Sequence, residues 1–405
     1  MEFSKLPEIS SVLWLFSPSN SLSISAISAW LVSSCSLISS IKKEIKSEKN
    51  LLFSFTNKYQ QSYSKSYLIK LKKKFPIINV IGMGGSILGS KAIYYFLRDK
   101  RKSKIFFKDN LVSFRENLNK KKKLNIIISK SGNTLETIVN SNIEIRKKDK
   151  NIILTENSQS YIKTLAQKLK AEIVDHKNYI GGRYSVLSEV GMLPAELMGL
   201  NTIKFKRLNY LVNNKKFMNS LCENVEKTLS LIKKKKLNSI ILNYDKRSEN
   251  LFLWYQQLIS ESLGKKSKGI LPMISNMPRD NHSLLQLYLD GPKNNFFTFF
   301  YVYDKKSNFL TNHIFSKKFE FLKGKKTSDI IYIQKIATQN IFSKKNIPFR
   351  NFEIQNRNEE VLGELFCFFV LETILLGRAL NVNPFDQPSV ELIKKETRRI
   401  FHQKN

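Results

Sequence analysis

Short runs of apolar residues, rich in Ile and Val, recur along the chain and are bounded by turn-forming or charged residues. These runs occupy residues 77–81, 124–128, 152–154, 240–242, 296–302 and 330–333. Unbroken runs of this length are typical of strands buried on both faces of a parallel sheet. Between them, residues 90–97 and 135–146 have apolar side chains at helical spacing. We therefore predict strands that alternate with helices in a doubly wound α/β sheet.

The alternation of strands and helices occurs twice, and a lysine-rich stretch at residues 204–236 separates the two occurrences. Each half is long enough to form a domain of its own. We therefore predict four segments. They are a helical amino-terminal segment of residues 1–50, two α/β domains of residues 51–205 and 206–380, and a carboxyl-terminal segment of residues 381–405.

Two segments are apolar enough to raise the question of a membrane span. Residues 361–380 are interrupted by Glu364, Glu372 and Arg378, so we predict a buried core helix there. The other segment, residues 9–40, contains no charged residue, but thirteen of its positions are Ser. That serine content disfavours a span, and apolar residues at helical spacing predict a helix packed on the protein body. No membrane partner is expected.

The net charge of +35 first suggests a nucleic-acid-binding protein. Only 13 of the 68 basic residues are Arg, however, and Arg is the side chain that forks onto phosphates and guanine edges. The lysines are scattered in short runs beside apolar segments. Nucleic-acid binding therefore becomes a minor alternative, and a positive field that attracts an anionic substrate is the preferred interpretation.

Cysteine and histidine are too few and too dispersed to indicate a disulfide framework or a zinc site. A reducing, cytoplasmic location fits this composition. The residues concerned are Cys35, Cys222, Cys367, His176, His282, His313 and His402.

Two turns that follow predicted strands have the composition of phosphate-binding sites. The first, residues 82–89, is glycine-rich and includes Gly84 and Ser86, but a tight strand-to-helix turn would explain it equally well. The second, residues 129–137, is more specific, because a plain helix cap needs one hydroxyl and this turn has several. Backbone N–H groups and hydroxyls at the start of a helix suit an anion. The candidate residues here are Ser129, Lys130, Ser131 and Thr134.

Three further segments complete a set of five that follow one another in a recognisable order. They are Gly-Gly-Arg-Tyr-Ser at residues 181–185, a long segment from Gln257 to residue 292, and Asn-Pro-Phe-Asp-Gln at residues 383–387 with Lys394 behind it. Together with the two turns, they resemble the phosphoglucose isomerase family, and the resemblance covers residues 82–394. It implies two flavodoxin-like sugar-isomerase (SIS) domains and helical terminal segments. It also implies a homodimer without metal or cofactor.

The resemblance also implies a role for each matching residue. The substrate phosphate would be held by the two turns, with Gly84 in the first and Lys130 contributing through its backbone. Glu261 matches the general base and Gln257 lies one helical turn before it. The remaining positions are Arg183 beside the reacting carbons, His282 and Lys394 around ring opening, and Gln387 lining the site.

The chemistry of aldose–ketose isomerisation requires the same types of residue. One carboxylate can move a proton between C2 and C1 through a cis-enediol if water is excluded. Glu261 is the candidate, and an apolar neighbourhood on its helix would raise its pKa; an exposed surface Glu is the alternative. Arg183 would stabilise the enediolate, with a salt bridge to Asp175 or Glu189 as the alternative. His282 can exchange a proton near neutral pH.

The expected activity is therefore interconversion of glucose 6-phosphate and fructose 6-phosphate. A sugar-phosphate sensor without catalysis and an isomerase that also accepts mannose 6-phosphate are the alternatives. Four features depart from the family pattern: Asn281 stands where Gln is usual, residues 276–280 lack the expected glycine, residues 388–389 replace a pair that usually ends in Gly, and Ile393 stands where a small residue commonly precedes the lysine. None of these changes removes a reacting group.

Overall fold

The structure is a computed structural model that describes residues 12–15, 39–111, 122–304, 306–311 and 316–403, the first of these as backbone only. These residues form two five-stranded sheets. The strands are β1 (Val12–Leu15), β2 (Ile77–Ile81), β3 (Lys104–Lys108), β4 (Lys123–Ile128), β5 (Lys150–Thr155), β6 (Glu172–Asp175), β7 (Asn238–Asn243), β8 (Leu271–Asn276), β9 (Asn295–Val302) and β10 (Phe349–Ile354).

Helices connect the strands and cover the sheets. They are α1 (which includes residues 39–44), α2 (Lys65–Lys74), α3 (Leu88–Phe96), α4 (Leu135–Glu144), α5 (Tyr161–Leu169), α6 (Glu189–Met198), α7 (Leu208–Leu211), α8 (Lys215–Lys233), α9 (Glu249–Leu263), α10 (Leu285–Asp290), α11 (Thr327–Lys344), α12 (Glu359–Ala379) and α13 (Pro388–Gln403).

The first sheet is entirely parallel, with the strand order β3-β2-β4-β5-β6. Counted along the chain this order is 2-1-3-4-5, which is the flavodoxin-like arrangement. Every residue of β4 is buried, as expected of a central strand covered by helices on both faces. The predicted doubly wound parallel sheet is confirmed.

The second sheet repeats the order of the first four strands and has an antiparallel strand in the fifth position. Its order is β1-β10-β9-β7-β8, in which β7 to β10 are parallel and β1 runs antiparallel to β10. The strand β1 lies in the segment predicted to be helical, so that prediction is wrong for residues 12–15, whose backbone extends the sheet instead. The helix predicted between residues 24 and 38 lies outside the described residues.

The predicted strand at residues 330–333 is also wrong, because these residues belong to helix α11. Four consecutive apolar residues fit a strand or a turn of helix equally well. The surrounding residues decide between them: Lys335, Thr338 and Phe342 are buried at helical spacing, while Ile333 is 58% exposed. The lysine-rich stretch that joins the two sheets likewise contains the long helix α8, which packs on α12.

Helix α12 is buried along almost its whole length, and its charged residues are paired within the protein. Glu372 lies in the core, where it forms an ion pair with the buried Arg350. The same carboxylate accepts hydrogen bonds from Asn224 at 2.6 Å and from Tyr255 at 3.1 Å. The predicted core helix is therefore confirmed, and no helix in the described ranges is long and apolar enough to cross a membrane.

Replacing Glu372 with Ala would leave the buried Arg350 guanidinium without its counter-charge. We expect the free energy of unfolding, measured in urea, to fall by about 3–5 kcal/mol. The control is Glu396→Ala, which removes an exposed ion pair with Arg399 and should change stability little. Equal stability of the two variants would show that the buried network does not hold the second sheet together.

Candidate active site

The two turns that are predicted to bind phosphate lie side by side, at the carboxyl ends of two strands of the first sheet. Strands β2 and β4 are neighbours at the point where the order of strands reverses, and the turns follow directly from their carboxyl ends. Ligands of doubly wound sheets bind in the crevice at this point. The turns are adjacent, since a Cβ added at Gly82 would lie 3.0 Å from the carbonyl oxygen of Ile128.

The second turn gathers hydroxyl groups at the start of α4. The Ser129 Oγ donates to Thr134 Oγ1 at 3.1 Å, and the Ser131 Oγ accepts from the backbone N–H of Asn133 at 3.3 Å. Thr134 is the residue from which α4 begins. Gly132 has a φ of +66°, and a Cβ there would lie 2.1 Å from Ser160 Oγ, so this position requires glycine. The result is a small polar concavity at a helix amino terminus, the arrangement that suits an anion.

The side chain of Lys130 points away from this concavity. Its Nζ donates to the carbonyl oxygen of Asn178 at 2.9 Å and lies 3.4 Å from Glu156. The carbonyl oxygen of Lys130 accepts from the backbone N–H of Glu156 at 3.1 Å and from Thr155 Oγ1 at 3.3 Å. The backbone of the turn is therefore fixed against β5, which leaves the N–H of Lys130, rather than its ammonium group, as the expected contact with a phosphate.

The first turn contacts two other parts of the site. Gly84 has a φ of +52°, and a Cβ added to it would lie 2.7 Å from the amide nitrogen of Gln257. At Gly85 an added Cβ would lie 2.2 Å from the carbonyl carbon of Gly182. These glycines are therefore required by close packing within the protein. Ser86 ends the short 3-10 helix of this turn and is half-buried beside the second turn.

Arg183 is the centre of the site and is only 3% exposed. It lies on the 3-10 helix Gly182–Leu187, which follows the glycine pair. Its guanidinium group makes five hydrogen bonds. They are Nε to Ser262 Oγ at 2.8 Å, Nη1 to Glu261 Oε2 at 3.3 Å and to Gln387 Oε1 at 3.1 Å, and Nη2 to the carbonyl oxygens of Pro384 at 2.6 Å and Asp386 at 2.9 Å.

Neither of the alternative partners considered for Arg183 binds it. Asp175 pairs with Lys177 at 2.7 Å, and Glu189 accepts hydrogen bonds from Tyr59. The guanidinium group is therefore directed toward α9 and the 383–387 segment, as a role in the site requires.

Glu261 and Gln257 lie one turn apart on the same face of α9. The Nε2 of Gln257 donates to Glu261 Oε1 at 2.8 Å, so both carboxylate oxygens of Glu261 accept a hydrogen bond. The opposite face of the helix is buried, including Trp254 and Leu258. The expectation of an apolar neighbourhood for the carboxylate is wrong. The group lies between an amide and a guanidinium, and its side chain is 26% exposed.

The 383–387 segment closes one side of the site. Lys265 lies 2.8 Å from Asp386, and this contact holds the pKa of the Asp386 carboxyl below its usual range. Asn383 Oδ1 accepts from the backbone N–H of Phe385 at 3.0 Å. The segment is thereby shaped so that two backbone carbonyls and the side chain of Gln387 face Arg183.

The structure does not bring His282 and Lys394 to this group. His282 is exposed on the short 3-10 helix Arg279–His282 after β8. Lys394 is exposed on α13, where its Nζ lies 2.6 Å from Glu391. Among the described residues, no hydrogen bond or ion pair joins either side chain to Arg183 or to Glu261.

Two residues of the site were missed from the sequence. The hydroxyl of Tyr184 lies 2.9 Å from Ser262 Oγ and donates to the carbonyl oxygen of Pro384 at 2.9 Å. Burial raises the pKa of Tyr184, which keeps it a neutral donor. Both residues adjoin a predicted site residue, Arg183 or Glu261, and that adjacency was the available signal. Over the described ranges, no three His, Cys, Asp or Glu side chains are grouped closely enough to hold a metal ion.

The corresponding crevice of the second sheet is occupied by an ion pair. The carboxylate of Asp245, which follows β7, binds the guanidinium of Arg357 at 2.9 and 2.5 Å. This turn therefore carries a charged pair, where the two turns of the first sheet carry glycine and hydroxyl groups.

Comparison with known proteins agrees with this geometry. The family model described as phosphoglucose isomerase matches residues 39–276. The glucose-6-phosphate isomerase of Methanocaldococcus jannaschii is 33% identical over 350 residues, which cover 80% of this chain and 84% of that protein. The glucose-6-phosphate isomerase of Mycoplasmopsis synoviae is 32% identical over 358 residues, covering 80% of this chain and 82% of that protein.

Solved structures show the same fold. A hypothetical protein of Thermus thermophilus has a TM-score of 0.79 at 20% identity, over 93% of this chain and 98% of that one. A glucose-6-phosphate isomerase of Chlamydia trachomatis has a TM-score of 0.67 at 18% identity, over 84% of this chain and 72% of that one. With the sequence matches and the Arg183-centred site, these findings establish that the chain belongs to the phosphoglucose isomerase family.

Proposed function

We propose that the protein interconverts glucose 6-phosphate and fructose 6-phosphate through a cis-enediol intermediate, with Glu261 as the proton-transfer base. One observation carries the proposal. The carboxylate of Glu261 contacts the buried Arg183 and, through Gln257, the first phosphate-binding turn. These contacts support the proposal, because they put the proposed base and the proposed cation next to a turn that is expected to hold the phosphate.

In the proposed reaction, the phosphate lies on the hydroxyls of the two turns and the first carbons of the sugar extend toward α9. Glu261 removes the proton from C2 and returns it to C1, while the proton on the C2 hydroxyl moves to the C1 oxygen. The contact between Arg183 and Glu261 is the longest of the five made by the guanidinium, at 3.3 Å. An enediolate oxygen that replaced it would be stabilised by a fixed positive charge and would release the carboxylate to act as a base.

Replacing Glu261 with Gln tests the base directly. The amide is isosteric and its oxygen can still accept from Arg183, so substrate binding should persist. We expect kcat for fructose 6-phosphate to fall about 10²–10⁴-fold with little change in KM. The measurement is a coupled assay for glucose 6-phosphate, with no added metal and repeated with a chelator, which should not change the rate.

The control for this variant is Glu223→Gln on the exposed face of α8, which should leave the rate unchanged. Wild-type turnover in Glu261→Gln would refute the base assignment. Binding of sugar phosphate by a wild-type protein that fails to convert it would instead favour the non-catalytic sensor.

We further propose that the active form is a homodimer in which His282 of a second copy completes the site. His282 is exposed, and among the described residues no hydrogen bond or ion pair joins it to Arg183 or Glu261 of its own chain, although ring opening needs a proton-transfer group. The neighbouring surface is apolar, as expected of an interface. The exposed apolar residues there are Leu271 at 53%, Met273 at 46% and Leu287 at 52%.

Mixing two inactive variants tests the shared site. In a heterodimer of Glu261→Gln and His282→Ala, one of the two sites has an intact Glu261 and receives an intact His282 from the other copy. We expect an equimolar mixture, refolded together, to regain about a quarter of wild-type activity, because random pairing makes half of the dimers mixed. A mixture that stays inactive, although it forms dimers, would contradict the shared site.

Lys394 is proposed to assist ring opening after α13 docks against the assembled dimer. The helix begins directly after Gln387 and none of its residues is buried. We expect Lys394→Met to lower kcat about 10-fold or more, since it removes a proton-transfer group. Lys395→Met, one position further on the same exposed helix, is the matched control and should retain the wild-type rate in the coupled assay. Equal rates for the two variants would exclude this role.

A further inference from the structure

Lys206 is a buried lysine that the proposed reaction does not use. It follows the 3-10 helix Thr202–Phe205 and is 4% exposed. Its Nζ donates to the carbonyl oxygen of Ser54 at 2.7 Å and to that of Leu187 at 2.8 Å. The Nζ also lies 4.5 Å from the ring centroid of Tyr59. Burial of a positive charge is energetically costly, so the position of Lys206 calls for an explanation.

The contacts of Lys206 match the ammonium form of the side chain. An ammonium group has three N–H donors, which here meet two carbonyl oxygens and the face of an aromatic ring. A neutral amine has two donors and a lone pair. Loss of the proton would therefore remove one of the three attractive contacts and direct the lone pair toward a carbonyl oxygen or the Tyr59 ring.

One of these contacts reaches the turn that carries Arg183. Leu187 is the last residue of the 3-10 helix Gly182–Leu187, in which Arg183 is the second. The same turn is held at its other end, where Trp254 Nε1 donates to the carbonyl oxygen of Arg183 at 3.1 Å. Lys206 thus ties the turn to the helix Leu51–Phe55, on the side opposite α9.

We propose that Lys206 is a positioning residue for Arg183, and that its protonated side chain fixes the turn that presents the guanidinium group to the substrate. This inference rests on the proposed role of Arg183 in stabilising the enediolate. It predicts that kcat depends on the protonation state of a group that does not contact the sugar.

The surroundings of Lys206 lower its pKa, so the side chain loses its proton near neutral pH. Burial lowers the pKa of Lys206 from 10.5 to about 7, although the carboxylate of Glu189 acts in the opposite direction, and the charge of Lys65 lowers it further. Burial raises the pKa values of Cys367 and Tyr59, so both stay neutral in this range. Glu189 accepts from Tyr59 and from the backbone N–H of Ser62. The other titratable groups that act on Tyr59 are Tyr179 and Asp175.

The direction of the pH effect follows from these contacts. Below pH 7 the ammonium form holds the turn, and the contact weakens as the pH rises through the pKa of about 7. Stability changes in the opposite sense. Because the pKa is lowered in the folded state, the unfolded chain binds more protons between about pH 7 and 10, so folding stability gains with rising pH in that window.

Two substitutions at Lys206 test the proposal. Lys206→Met should lower kcat about 10- to 100-fold with a smaller change in KM, because Arg183 is displaced relative to the reacting carbons. In the wild type, kcat should show a decline centred near pH 7. Lys206→Arg stays charged, so its decline should move up by more than about two pH units.

The matched control is Lys204→Met, in the 3-10 helix that precedes Lys206, whose exposed Nζ lies 3.6 Å from Glu360. It should keep the wild-type rate and pH profile. Unfolding midpoints measured across the same pH range check that Lys206 is buried in solution. The wild-type midpoint should rise relative to that of Lys206→Met between about pH 7 and 10.

The contrary outcomes are distinct. A wild-type and a Lys206→Arg protein with the same pH profile of kcat would overturn the proposal, and so would wild-type kcat in folded Lys206→Met. Arg183→Lys, assayed beside them, separates this proposal from the one on which it rests. Unchanged turnover in Arg183→Lys refutes the role of Arg183 itself, whereas reduced turnover there with unchanged turnover in Lys206→Met refutes only the role of Lys206.

Discussion

The guanidinium group of Arg183 joins three parts of the chain that are distant in sequence. All five of its N–H donors are used, two toward α9 residues and three toward the 383–387 segment. A charge that is 3% exposed is tolerable only with such complete pairing. This one side chain therefore links the helix of Glu261 and the 383–387 segment to the first domain.

The fold places the guanidinium group of Arg183 close to the turns that are predicted to bind phosphate. Reversal of strand order between β2 and β4 opens a crevice, and both turns that border it are short and rich in hydroxyl groups or glycine. Gly84 and Gly85 let this edge approach α9 and the Arg183 turn closely. In the second sheet, the turn after β7, the strand that corresponds to β2, carries the ion pair of Asp245 and Arg357 instead of hydroxyl groups.

The sequence predicted the parts of this arrangement that depend on local pattern. The buried runs of β2 and β4 were evident because strands covered on both faces are mostly apolar, although each has a buried Asn, and the family motifs pointed to Arg183 and Glu261. Strands such as β3 and β10 were missed, since Lys104 and Arg350 interrupt their apolar character. The contacts that unite the site, such as those with Ser262 and the carbonyl oxygen of Pro384, depend on packing between distant segments. The exposed positions of His282 and Lys394, apart from the hydrogen bonds of Arg183, could not be predicted either, because a motif gives order along the chain and not distance in space.

The antiparallel strand β1 changes how the second sheet is expected to associate with other molecules. A parallel sheet that ended at β10 would present a row of unpaired backbone donors and acceptors, onto which another molecule could add a strand. Pairing of residues 12–15 with residues 349–352 saturates that row within the same molecule. The edge of the sheet on this side is then a strand of only four residues, which offers another molecule a shorter row of free groups than β10 would.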